Sequence, residues 1–182
     1  MQSVQEKARA VRLLALDCDG VLTDGSLLYG NDGEELKAFS ILDGLGIKLL
    51  RASGVQVAII TGRKSEIVKR RARELGIDNL LLQGREDKLV ALRELAQQTG
   101  IALDAIAYCG DDLPDLPAIR AAAFGIAPAN AHGLVREHAD WVTTAAGGAG
   151  AVREITDFLM QAQGTLPAAL APYLAIDTGN RA

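Results

Sequence analysis

The chain has 182 residues, 49% of them hydrophobic, so it can bury a sizeable core and falls within the usual length of one domain. Its 19 Lys and Arg against 23 Asp and Glu give a net charge of −4, which argues against nucleic acid or an anionic membrane as partner and favours a small molecule. Apolar runs such as 55–60 and 77–82 are too short to span a bilayer, and Met1-Gln2-Ser3-Val4-Gln5-Glu6-Lys7 lacks the apolar stretch of a signal peptide; the expected compartment is the cytoplasm.

In chain order, a first strand is expected over 11–16. A β-hairpin follows, with arms at 26–29 and 34–39 around Gly30-Asn31-Asp32-Gly33, residue types that tolerate the positive φ of tight turns. After a first helix come strands over 55–60, 79–82, 106–109, 124–126 and 141–142. Ser65 and Gly76 bracket a helix, a second runs from about Glu86 to Gln98 ahead of Gly100, a third covers 116–122 and a last one 152–163. This alternation predicts an α/β fold, a Rossmann-like, doubly wound parallel sheet with crossover helices, as one domain over 1–164. The remainder, 165–182, shows no helical or strand period and is expected to be a mobile tail. Cys18 and Cys109, each in or beside an apolar run and outside any metal-binding spacing, are expected as buried reduced thiols.

In open parallel sheets ligands bind outside the carboxyl ends of the strands. Those ends carry Asp17-Cys18-Asp19-Gly20, Thr61-Gly62-Arg63, and Gly110-Asp111-Asp112-Leu113-Pro114-Asp115, with Lys88 near the start of the intervening helix. Carboxylates gathered on one edge repel one another unless protons or a cation neutralise them, and around a phosphate site their oxygens favour the hard ion Mg²⁺. Any single Asp could equally be a cap or turn residue; the set, on separate strand ends, points to chemistry. Asp17 can attack phosphorus as nucleophile. Asp19 can protonate the leaving alkoxide and later deprotonate water. Thr61 and the amide of Gly62 can donate to phosphate oxygens, and Lys88 supplies positive charge to a developing trigonal phosphoryl group.

Asp17-Cys18-Asp19-Gly20-Val21, Thr61, Lys88 and Gly110-Asp111-Asp112-Leu113-Pro114-Asp115 resemble, in order, the four motifs of the haloacid dehalogenase superfamily. The stretches 24–25, 30–39, 43–47 and 147–154 resemble, more narrowly, its capless 3-deoxy-D-manno-octulosonate 8-phosphate phosphatase family. The resemblance implies an Mg²⁺-dependent phosphoric monoester hydrolase working through an aspartyl phosphate, in lipopolysaccharide precursor synthesis. It implies metal ligation by Asp17, the backbone carbonyl of Asp19 and Asp111, with Asp112 and Asp115 acting through water or orienting Lys88. It also implies a substrate site, with Ser40, Ile41, Leu42, Asp43, Gly44, Lys48, Arg63 and Arg71 around the sugar acid and Gly62 and Lys88 at the phosphate. Ser40 and Leu42 are less polar than such a loop would suggest, and Arg63 and Arg71, suited to bidentate carboxylate binding, can also be exposed helix-face charges.

Two other signals carry less. Gly147-Gly148-Ala149-Gly150 resembles a dinucleotide fingerprint, but Arg153 stands at the third glycine position, and a helix-entry turn is the better reading. His132 and His138 have no Ser or Cys partner pattern and are read as surface or capping residues. Competing functions are a phosphatase for a sialic-acid-type 9-phosphate and a non-catalytic assembly module of the same fold.

The spacing from Asp17 to Thr61 and from Thr61 to Asp111 leaves no room for a cap domain. The hairpin bears Leu27, Tyr29, Leu36 and Phe39, which a lone ribbon cannot bury. The resemblance implies a homotetramer in which hairpins cover neighbouring sites.

Overall fold

The computed structural model describes residues 2–31 and 35–175. Six strands, β1 (Leu13–Leu16), β4 (Gln56–Thr61), β5 (Leu81–Gln83), β6 (Ile106–Cys109), β7 (Phe124–Ala127) and β8 (Trp141–Val142), form one sheet in the order β5-β4-β1-β6-β7-β8. Every pairing in it is parallel, with Leu13 opposite both Gln56 and Ile106. The chain builds outward from β1 to β4 and β5, then returns to the other side of β1 for β6. That reversal puts a crevice at the carboxyl ends of β1, β4 and β6.

All of β1 is buried, as a strand covered on both faces must be, and successive side chains point to opposite layers. Leu14 and Leu16 join α1 (Val4–Ala10), α2 (Ile41–Ala52), α3 (Glu66–Leu75) and α7 (Ala151–Ala162) through Ala8, Ile47, Leu50, Ala72, Ile155 and Leu159. Leu13 and Ala15 join α4 (Lys88–Thr99), α5 (Leu116–Ala121) and α6 (Gly133–His138) through Leu92, Leu95, Ile119 and Val135. The three-layer sandwich expected from the alternation is therefore present.

Several element ends follow their capping chemistry. Gly76 closes α3 and Gly100 closes α4, both in the left-handed conformation that glycine adopts without penalty. The helix expected from Glu86 starts at Lys88 because the Asp87 carboxylate accepts from the Val90 N–H and caps it. The strand expected from residue 11 starts at Leu13, because α1 runs to Ala10; its Ser3–Glu6 capping box was a readable signal for this helix.

The hairpin is shorter than expected, β2 (Leu28–Tyr29) against β3 (Glu35–Leu36), and Asp32-Gly33 of its turn lie outside the described residues. The tail reading is corrected over Leu166–Leu174, which form α8, with Leu166, Ala169 and Leu170 packed on the core. Its Ala-rich sequence is apolar on every face and so offers no helical stripe, while Pro167 sits in the first turn, where a helix tolerates it. Cys18 and Cys109 are buried free thiols, as expected. Among the described residues, no helix is long and apolar enough to cross a membrane.

Candidate active site

β1 delivers Asp17, whose N–H donates to the Cys109 carbonyl at 2.9 Å and so continues the β1–β6 ladder. The chain then turns tightly: the Cys18 carbonyl accepts from Leu22 N–H (2.9 Å) and Thr23 N–H (3.1 Å). Gly20, at φ +91°, lies where a Cβ would meet Asp111 Oδ2 at 2.0 Å, so only glycine lets that carboxylate approach. On its other side a Cβ on Gly147 would stand 1.8 Å from the Gly20 carbonyl oxygen. The Gly148 N–H donates to Val21 O (3.0 Å) and the Gly147 N–H to Asn130 Oδ1 (2.9 Å). The Gly147–Gly150 segment is thus the turn that enters α7, and it backs the loop that carries Asp17.

Lys88, 5% exposed at the start of α4, donates from Nζ to Asp17 Oδ1 (2.5 Å) and to the Ile60 carbonyl (3.0 Å). It also pairs with Asp115 at 3.5 Å. Asp115 accepts from Tyr108 Oη (2.7 Å) on Oδ1, and from the N–H groups of Asp111 (3.1 Å) and Asp112 (3.3 Å) on Oδ2. Asp111 differs: its Oδ1 is buried without a hydrogen-bond partner among the described residues.

Carboxylate oxygens of Asp17, Asp111 and Asp115 lie within 4.8 Å of one another. Burial, then the neighbouring Asp115, pushes Asp17 up to about 7 against the pull of Lys88. Burial, then Asp115 and Asp112, pushes Asp111 up to about 7 as well. A buried, unpartnered oxygen beside a second carboxylate that resists ionisation is what a divalent cation would relieve, and the all-oxygen donor set suits Mg²⁺. Asp17, the Asp19 carbonyl and Asp111 could hold such an ion.

These groups line a cleft of about 560 Å³, with Asp19, Thr61, Gly62 and Arg63 on its wall. Thr61 ends β4, 2% exposed, and its Oγ1 accepts from the Arg63 N–H at 3.4 Å.

A family model described as haloacid dehalogenase-like hydrolase matches residues 81–155, the span from β5 into α7. The 3-deoxy-D-manno-octulosonate 8-phosphate phosphatase KdsC of Escherichia coli is 50% identical over 163 residues, 90% of this chain and 86% of that one. This chain belongs to that phosphatase family, within the haloacid dehalogenase-like hydrolases. Among solved structures, a phosphatase of this family from Moraxella catarrhalis, in complex with magnesium, phosphate and KDO, has a TM-score of 0.91 at 47% identity, covering 93% of this chain and 97% of that one. A probable YrbI family phosphatase from Pseudomonas syringae has a TM-score of 0.93 at 52% identity, covering 97% and 99%.

Within this family member, the residues expected around the substrate fall into two sets. Gly62, Arg63 and Lys88 are in the cleft; Ser40, Ile41, Leu42, Asp43, Gly44, Lys48 and Arg71 do not line it. Ser40 caps α2, accepting from the Asp43 N–H at 3.3 Å, and Ile41 and Leu42 are exposed beside it. Asp43 is buried and accepts from the Arg153 N–H (2.7 Å) in the first turn of α7. Arg71 packs over Gly44, donates to the Ser40 carbonyl (3.1 Å) and lies over the Phe39 ring (5.6 Å). Lys48 is exposed on α2. Asp112 caps its own turn, accepting from the Leu113 N–H at 2.8 Å.

Four polar side chains in or against the cleft escape sequence reasoning. Lys37, from the hairpin, pairs with Asp19. Tyr29 Oη accepts from Arg63 Nη1 at 3.2 Å, and Glu86 lines the wall. Tyr108 carried the one usable signal: a phenol inside a buried strand must find a partner.

Proposed function

We propose that this phosphatase hydrolyses 3-deoxy-D-manno-octulosonate 8-phosphate, with Mg²⁺ as cofactor and Asp17 as nucleophile, and that it serves lipopolysaccharide precursor synthesis. The observation that carries the reading is Asp17 itself, at a strand end with Oδ1 on Lys88 and beside the unpartnered Asp111 oxygen. The names of its relatives supply the substrate.

Lys88 and the Thr61 hydroxyl, with the Gly62 amide, orient the phosphate against Asp17. An Asp17 oxygen forms a bond to phosphorus as the bond from phosphorus to the sugar oxygen breaks. Asp19 gives its proton to that leaving oxygen. Its carboxylate then takes a proton from a water whose oxygen attacks phosphorus, the bond to Asp17 breaks, and phosphate leaves with Asp17 restored. Asp17, the Asp19 carbonyl and Asp111 would hold the Mg²⁺, which when bound would supply the charge that offsets repulsion between an anionic nucleophile and a phosphate dianion.

The functional unit in this reading is a homotetramer. Leu28 (56% exposed), Leu36 (60%), Ile41 (82%) and Leu42 (57%) leave apolar surface on the hairpin and the start of α2, near Ser40 and Arg71, so a neighbouring copy seated there would bring that loop to a cleft.

The test is phosphate release from a panel of phosphosugars, with and without Mg²⁺. Preference for the eight-carbon sugar acid supports the reading; preference for a nine-carbon sialic-acid-type 9-phosphate reassigns the substrate. No release from any member would leave the assembly-module reading.

A further inference from the structure

Tyr108 is fully buried in β6, within the apolar layer that holds Leu92 and Ile119. Its hydroxyl donates to Asp115 Oδ1 at 2.7 Å, and the same oxygen faces Lys88 Nζ at 3.5 Å. The other oxygen accepts two backbone N–H groups, from Asp111 and Asp112. An ionised carboxylate offers about four acceptor positions, so three hydrogen-bond donors and the Lys88 ion pair engage both oxygens of Asp115. Asp111, beside it, keeps a buried oxygen with no donor among the described residues. Two carboxylates in one cluster therefore have opposite capacities for a cation, although both stand within 4.8 Å of Asp17.

We propose that Tyr108 is a positioning residue that reserves Asp115 for Lys88 and keeps it out of the coordination of the divalent cation. This rests on the phosphatase reading of the site. The consequence is chemical: a cation taking a third carboxylate would bind more tightly but present less positive charge to the phosphate, and Lys88 would lose one of its anchors beside Asp17.

Tyr108→Phe removes the hydroxyl and little else, freeing one acceptor position on Asp115. Mn²⁺ binding to chelated protein is read by titration calorimetry, and turnover is read in parallel with Mg²⁺. The expected result is a Kd for Mn²⁺ several-fold lower than wild type together with kcat lower by about tenfold, the scale typical of groups that orient metal-site residues. KM is expected to hold within about twofold, as the phosphate contacts are untouched. A merely structural hydroxyl would weaken Mn²⁺ binding or leave it unchanged, and either result overturns the proposal, as does tighter binding with wild-type kcat. Should Tyr108→Phe not fold, Asp115→Asn gives a second reading: a Kd for Mn²⁺ within about threefold of wild type supports a carboxylate off the metal, and a loss beyond about tenfold makes Asp115 a ligand. A wild-type chain that hydrolyses no phosphosugar overturns the phosphatase reading; one that is active but fails these comparisons overturns only the role of Tyr108.

Discussion

Asp17 and Asp111 are carboxylates in surroundings that favour the neutral acid, each raised from an ordinary value of 3.8 to about 7. Between those limits the folded, metal-free chain holds protons that the unfolded chain has released. Its stability therefore falls as pH rises from about 4 to about 7 on account of these groups. The thermal midpoint of chelated protein is expected to drop between pH 5 and pH 8, and Mg²⁺ to remove most of that drop because binding needs the ionised forms. A chelated midpoint that climbs over the same interval would contradict the assignment. Asp17→Asn leaves an amide that cannot attack phosphorus, so kcat should fall by at least about a thousandfold with circular dichroism unchanged; near-normal phosphate release from that variant would remove Asp17 as nucleophile.

At the scale of elements, the molecule holds its site through loops pressed backbone to backbone. The turn before α7 lies against the turn after β1, with the Gly147 Cα on the Gly20 carbonyl, and Gly20 in turn lies against Asp111. Gly147→Ala drives a methyl into that carbonyl and is expected to cost about 1–3 kcal/mol in urea unfolding, as overpacking does. Gly133→Ala, with no atom within 4 Å of its Cβ, serves as the control and should change stability by less than about 0.5 kcal/mol. Equal effects at the two positions would mean that the loop contact does not constrain the site. α8 makes the complementary point: apolar on every face, it is held by packing Leu166, Ala169 and Leu170 on the core rather than by its own periodicity.

For the whole molecule, the absence of a cap and the exposed hairpin bear on one question. To select one sugar acid, as proposed, a cleft of about 560 Å³ needs walls, and the expected α2 loop lies outside it in a single chain. Leu28 and Leu36 are paired across the hairpin and more than half exposed. In the tetramer proposed above, Leu28→Glu with Leu36→Glu should leave the chain folded, shift sedimentation velocity to smaller species than wild type, and raise KM several-fold more than it lowers kcat. A wild-type chain that sediments as a fully active monomer at assay concentration would rule out shared sites.

The sequence alone determined the parallel sheet, because strands buried on both faces must read as unbroken apolar runs, and it singled out Asp17, Asp19, Thr61, Lys88 and Asp111 as candidates, which the structure brings to one cleft because the carboxyl ends of such strands meet at one sheet edge. Gly76 and Gly100 were legible for a similar reason: caps are local, and their physics acts within a few residues. What each carboxylate is free to do was decided only by the tertiary structure. Lys88 reaches Asp17 across 71 positions of sequence, Lys37 reaches Asp19 from the hairpin, and Tyr108 engages Asp115 while an Asp111 oxygen has no donor among the described residues. Those differences depend on β1 lying between β4 and β6 and on which way each side chain turns. Residue spacing does not encode them, because a hydrogen bond between distant elements forms only after the packing that brings its donor within about 3 Å of its acceptor.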